Sequence, residues 1–253
     1  MLRELLALDI FKFMVVFARL GSAMMLMPAL GSTLITSRAR LSLAVLIAFV
    51  LMPILADRLP PQPKEPFALA LLIIGEVTVG LFLGLLMQGL MMALDLAGNF
   101  IGYSVGLTNA FVFDAATAEQ SQLVVGFLNT AVITLMFLTD MHHLMLRAVV
   151  GSYDVFAAGG SLNLGDLSSS LVTVTSRSFV IGMQLAAPLV VFSLIFNVAL
   201  GLINRMVPQM QVFFVGMPLQ IFLGLLLLMT ALPALLMWFS RHFADGVGAF
   251  IPQ

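Results

Sequence analysis

The chain has 253 residues, 61% of them hydrophobic and 9% charged, with a net charge of −1 and no cysteine. A soluble domain carries about 25% charged residues, so this much apolar surface has to face lipid or other apolar protein. Without a basic block nucleic acid is excluded as a ligand, and without cysteine so are disulfides, thiolate catalysis and cysteine-based metal sites.

Six apolar stretches follow one another, at roughly 10–30, 41–56, 67–96, 123–138, 179–203 and 212–239. The first is preceded by Glu4 and Asp9 and interrupted by Lys12 and Arg19, which is unlike a cleavable signal peptide and predicts a retained helix. Between the second and third lies DRLPPQPKEP, whose four prolines preclude a helix through it. The third is expected to continue through Asn99 and Ile101. The longest break, 139–177, contains Gly159-Gly160 and a serine run at Ser168, Ser169 and Ser170. The tight break at 204–211 makes the last two stretches a helical hairpin. A spanning helix needs about 20 apolar residues. Two of these stretches are short and two are long, which fits either tilt in a bilayer or packing in an assembly not confined to the bilayer plane. The seam of this all-α, multi-helix membrane-class chain falls near 159–170, dividing residues 1–170 from a C-terminal hairpin at 171–253.

Small residues recur every four positions: Gly80 and Gly84; Gly89, Ala93 and Ala97; Gly98, Gly102 and Gly106. Residues so spaced share a helix face, and glycine there admits a neighbouring backbone. Lys12, Arg19, Glu76 and Asp95 stand inside apolar runs. A charge in hydrocarbon is costly, so each is expected to be paired or to face water; ion pairs that fix helix register and a proton or ion relay both fit. His142 and His143 follow Asp140. Adjacent helical residues point about 100° apart, unlike the i, i+4 pair of H-E-x-x-H, so a helix-end contact is expected there rather than a metal site. No G-x-S-x-G, H-E-x-x-H or P-loop is present, so no catalytic residues, no cofactor and no enzyme activity are expected.

The segment RMVPQMQVFFVGMPLQI, which begins at Arg205 and holds Pro208, Gln209, Phe213, Gly216 and Pro218, resembles the FliR family of flagellar type III export-gate subunits, related to the SpaR proteins of injectisomes. Further resemblance lies at 28–40, 76–84, 97–106 and 142–152 and covers nearly the whole chain. It implies a core subunit of the flagellar export gate: a FliP-like part fused to a FliQ-like hairpin. The subunit would join five FliP and four FliQ subunits, with FlhB at the base and FlhA as a further partner. Its substrates would be unfolded export subunits and its setting the lipid of the bacterial inner membrane, extending to the periplasmic face. It also implies a channel plug near 106–120, with Gly106, Asn109, Phe111, Val112, Phe113 and Asp114; the two phenylalanines are bulky and apolar enough to exclude water and ions. The 204–211 turn would face the cytoplasmic entrance, although the Lys/Arg count between loops weakly favours the opposite orientation. Outside the resemblance, a small-solute or ion transporter using Glu76 or Asp95, or a non-conducting scaffold, fits the same composition.

Overall fold

The computed structural model describes residues 2–31, 35–107, 122–160, 162–206 and 212–249, with side chains left undescribed at 2–9, 122 and 212–214. Among the described residues the regular structure is entirely helical: α1 (Leu2–Leu26), α2 (Ser37–Leu55), a short 3-10 turn (Ala56–Arg58), α3 (Pro66–Val105), α4 (Gln122–Leu138), α5 (Met141–Val155), α6 (Leu164–Met206) and α7 (Val212–Gly248).

The boundaries follow local chemistry. Thr36 caps α2 by accepting a hydrogen bond from the Ala39 N–H. Pro60, Pro61 and Pro63 hold the chain out of helix, and Pro66 opens α3, a position where a proline lacks nothing the helix needs. Pro53, Pro188, Pro218 and Pro233 lie inside helices, as membrane helices allow when neighbours satisfy the freed carbonyls. At about 1.5 Å per residue, α3 with 40 residues, α6 with 43 and α7 with 37 run about 55–65 Å. A hydrocarbon core is about 30 Å thick.

Among the described residues four helices are long and apolar enough to cross a membrane, and α4 with α5 makes a fifth if the pair is counted as one span bent by 75°. The protein is therefore an all-α membrane protein. The supposed break at 139–177 contains all of α5 and the first turns of α6. Helix α5 buries Met145, Ala148, Val149, Ser152 and Tyr153, one stripe at spacings of three and four. Its other face is polar, so it carries no continuous apolar run.

The chain divides into two compact units. The first comprises 1–90, 137–174 and 243–253; the second comprises 91–136 and 175–242. In the first, α1 buries Phe11, Val15, Val16, Leu20, Ala23 and Met24, and Phe11 and Val15 join Leu72 in a small cluster with Leu59, Leu69 and Ala158. In the second, Ala93, Leu94, Ala97, Ile101 and Val105 of α3 are buried, as are Val124, Leu128 and Val132 of α4 and Leu185, Ala186 and Leu189 of α6.

Candidate functional site

In the first unit the chemistry gathers around Arg19, on α1, whose side chain is fully buried. Its Nε donates to Glu76 Oε2 at 2.7 Å and its Nη2 to Glu76 Oε1 at 3.0 Å, a two-pronged pairing between α1 and α3. Nη1 donates to Ser152 Oγ at 3.1 Å, and Nη2 also to the Phe156 carbonyl at 2.9 Å. The Ser152 hydroxyl in turn donates to the Val149 carbonyl at 2.6 Å. The guanidinium carbon lies 3.7 Å from the centroid of the Tyr153 ring, close enough for cation–π attraction. One cation thus joins α1, α3 and α5, with its charge neutralised and four of its five N–H groups engaged. Ser152, Tyr153 and the Phe156 carbonyl were missed in the sequence, because they lie more than 130 residues from Arg19.

Glycine makes that approach possible. A Cβ at Gly80 would collide with the Arg19 carbonyl and the Ser22 hydroxyl, and one at Gly84 would sit 2.7 Å from Leu26 Cβ and 3.0 Å from the Ala23 carbonyl. Beside the ion pair lies a half-open cavity of about 430 Å³, lined by Pro60, Pro61, Leu72, Glu76 and Gly159 among others. The strap that carries these prolines is fastened to α5 by an exposed ion pair, Arg58 Nη1 to Asp154 Oδ2 at 2.9 Å. Lys12 is half-buried and has no ion-pair partner among the described residues.

Also in the first unit, Asp140, His142 and His143 come together at the start of α5, with the two imidazole centroids 4.1 Å apart. Sequence reasoning held that adjacent histidines diverge. They converge because α5 begins only at Met141, so no preceding helical turn restricts their side chains and both swing over the helix end.

In the second unit close packing is spread over α3, α4, α6 and α7. A Cβ at Gly98 would lie 2.9 Å from Val125 Cα, one at Gly182 2.7 Å from the Ala93 carbonyl, and one at Gly216 2.7 Å from Leu200 Cδ1. Gly102 is buried on α3. Asp95 accepts a hydrogen bond from Asn129 Nδ2 at 2.7 Å, a tie between α3 and α4. Gly106, at φ +83°, closes the end of α3 in the left-handed conformation that glycine adopts without penalty. There the buried side chain of Gln220 on α7 packs against it and donates through Nε2 to the Ser104 carbonyl at 3.0 Å. This satisfies one of the carbonyls that a helix end leaves open. Gln220 belongs to the Arg205 segment but was not singled out; a glutamine between apolar neighbours was its signal.

Asn109, Phe111, Val112, Phe113, Asp114, Pro208 and Gln209 lie outside the described residues. Arg205 is exposed near the end of α6, Phe213 falls in the first turn of α7, and Pro218 is exposed one turn later.

Comparison with known proteins gives the arrangement a context. The sequence profile of "Bacterial export proteins, family 1" matches residues 10–246. The chain is 37% identical over 237 residues to "Flagellar biosynthetic protein FliR" of Caulobacter vibrioides, covering 93% of this chain and 94% of the relative. It is 32% identical to the protein of that name from Escherichia coli, over 87% of this chain and 83% of the relative. For the Bacillus subtilis protein of that name the figures are 30%, 89% and 88%.

Proposed function

The chain belongs to the bacterial export proteins of family 1, and from that premise we propose that it is a core subunit of the flagellar type III protein export gate. With FliP and FliQ it forms the conduit through which unfolded flagellar subunits cross the bacterial inner membrane. The observation that carries this reading is similarity along nearly the full length of proteins named for flagellar biosynthesis. Helices of about 55–65 Å support it, since they are longer than a bilayer needs and suit an assembly extending toward the periplasmic face. So do the glycine contacts, since subunits that enclose a narrow conduit need tightly packed walls.

In this reading residues 1–170 act as a FliP-like part and 171–253 as a FliQ-like hairpin, one such chain completing an assembly of five FliP and four FliQ. FlhB surrounds the cytoplasmic entrance near the turn after Arg205, and FlhA is a further partner. The segment 106–120 is the plug: Phe111, Val112 and Phe113 fill the resting channel and substrate displaces them. Gly106 and the Gln220–Ser104 bond anchor one end of that segment firmly to its helix. The subunit contributes a wall and a seal; the work of translocation comes from the proton motive force and the associated ATPase, through partners.

The test is a small-molecule leak assay on cells expressing the gate with residues 110–114 deleted, alongside a pull-down that checks assembly. Increased permeability with the assembly intact is the expected result. Unchanged permeability in an intact assembly refutes the plug and leaves a non-conducting scaffold as the reading.

A further inference from the structure

The turn between α4 and α5 holds the one cluster of three metal-ligating side chains found among the described residues. There is no cysteine, and of three histidines two are here. One ligand atom each from Asp140, His142 and His143 lie within 4.8 Å of one another. Their backbone spans a single bend: Asp140 takes a left-handed conformation at φ 57° where the path turns by 75°. Its side chain does not cap α5, the task an aspartate at that position ordinarily performs. The carboxylate lies instead 3.5 Å from His143 Nδ1. A second observation points the same way. The Nδ1 of His142 is buried and has no hydrogen-bond partner among the described residues, so this nitrogen is not committed to any neighbouring donor or acceptor there.

We propose that Asp140, His142 and His143 form a binding site for a divalent transition metal ion of the zinc, cobalt or nickel class. Two imidazoles and one carboxylate select such ions over calcium or magnesium, which take oxygen ligands. Three protein ligands leave a fourth tetrahedral position for water. Ligand atoms about 2.0–2.1 Å from a tetrahedral ion lie about 3.4 Å apart, so the site closes by side-chain rotation of roughly an ångström without moving a helix. Two of the three groups are well exposed, His143 at 61% and Asp140 at 76%, so the ion can enter from solvent. Phe137, near the end of α4, packs against the His142 ring at 5.2 Å between centroids. A metal that fixes His142 therefore also fixes its contact with Phe137.

The experiment uses the full-length protein purified in detergent by a tag without histidine. Co²⁺ is titrated while the visible d–d absorption is followed, and metal content is measured after dialysis. One equivalent bound with a tetrahedral-type spectrum, displaced by Zn²⁺, is the expected result, together with a rise in unfolding temperature as metal is added. His142→Gln/His143→Gln, which leaves His242 as the last imidazole, should lower the affinity at least 100-fold, and Asp140→Asn by about tenfold. Because His143 is largely exposed, His143→Gln alone serves as a variant whose fold is undisturbed, and it too should lose most of the affinity. The proposal is overturned if the unmodified protein retains no metal and shows no d–d bands, or if the double variant binds as tightly as the parent.

Discussion

Removing Glu76 tests the reading of Arg19 most directly. Glu76→Leu deletes both acceptors of the paired hydrogen bonds while Arg19, fully buried, keeps its charge. A guanidinium cannot shed that charge. Taking one partner from a buried pair costs about 3–5 kcal/mol, mostly because the remaining ion is left without compensation. The Ser152 and Phe156 contacts survive, which places the expected loss toward the lower half of that range. Against a total stability of about 5–15 kcal/mol it is still a large fraction. Arg19→Met should cost less, since the carboxyl left behind can be neutralised by a proton. In the double variant Arg19→Met/Glu76→Leu no charge has to be desolvated, and stability should return to within about 1–2 kcal/mol of the parent. The assay is reversible unfolding of all four proteins in mixed micelles, followed by far-UV circular dichroism and read as a double-mutant cycle. A Glu76→Leu protein within 1 kcal/mol of the parent, or a double variant no more stable than that single one, refutes the claim that this ion pair fastens the first unit.

Two further predictions bracket that result. Gly80→Ala should destabilise by about 1–3 kcal/mol, because the new methyl group meets the Arg19 backbone, which cannot yield unless α1 moves; the same unfolding assay measures it, and an unchanged midpoint would contradict the α1–α3 contact. Arg58→Ala breaks an ion pair between groups 44% and 41% exposed, so it should change stability by less than about 1 kcal/mol and lose even that in high salt.

The chain itself determined the class of molecule, and with it the family. Apolar runs, prolines and four-residue glycine spacing are local properties: each fixes what a segment can do before any partner is known. The DRLPPQPKEP strap and the continuation of α3 past Asn99 followed from those properties alone. What only the tertiary structure decided is which side chains meet. Arg19 could be recognised as an expensive charge, but its partners lie 57 and 133 residues away, and apolar periodicity carries no record of that pairing. Helix α5 was hidden because a half-polar helix lowers the mean hydropathy of its segment even as it buries one face. Gln220, and the convergence of the Asp140, His142 and His143 side chains that the sequence shows only as neighbours, were hidden for a related reason. A polar group in an apolar protein is informative only once the carbonyl it satisfies, or the bend that brings it to its neighbours, exists in space.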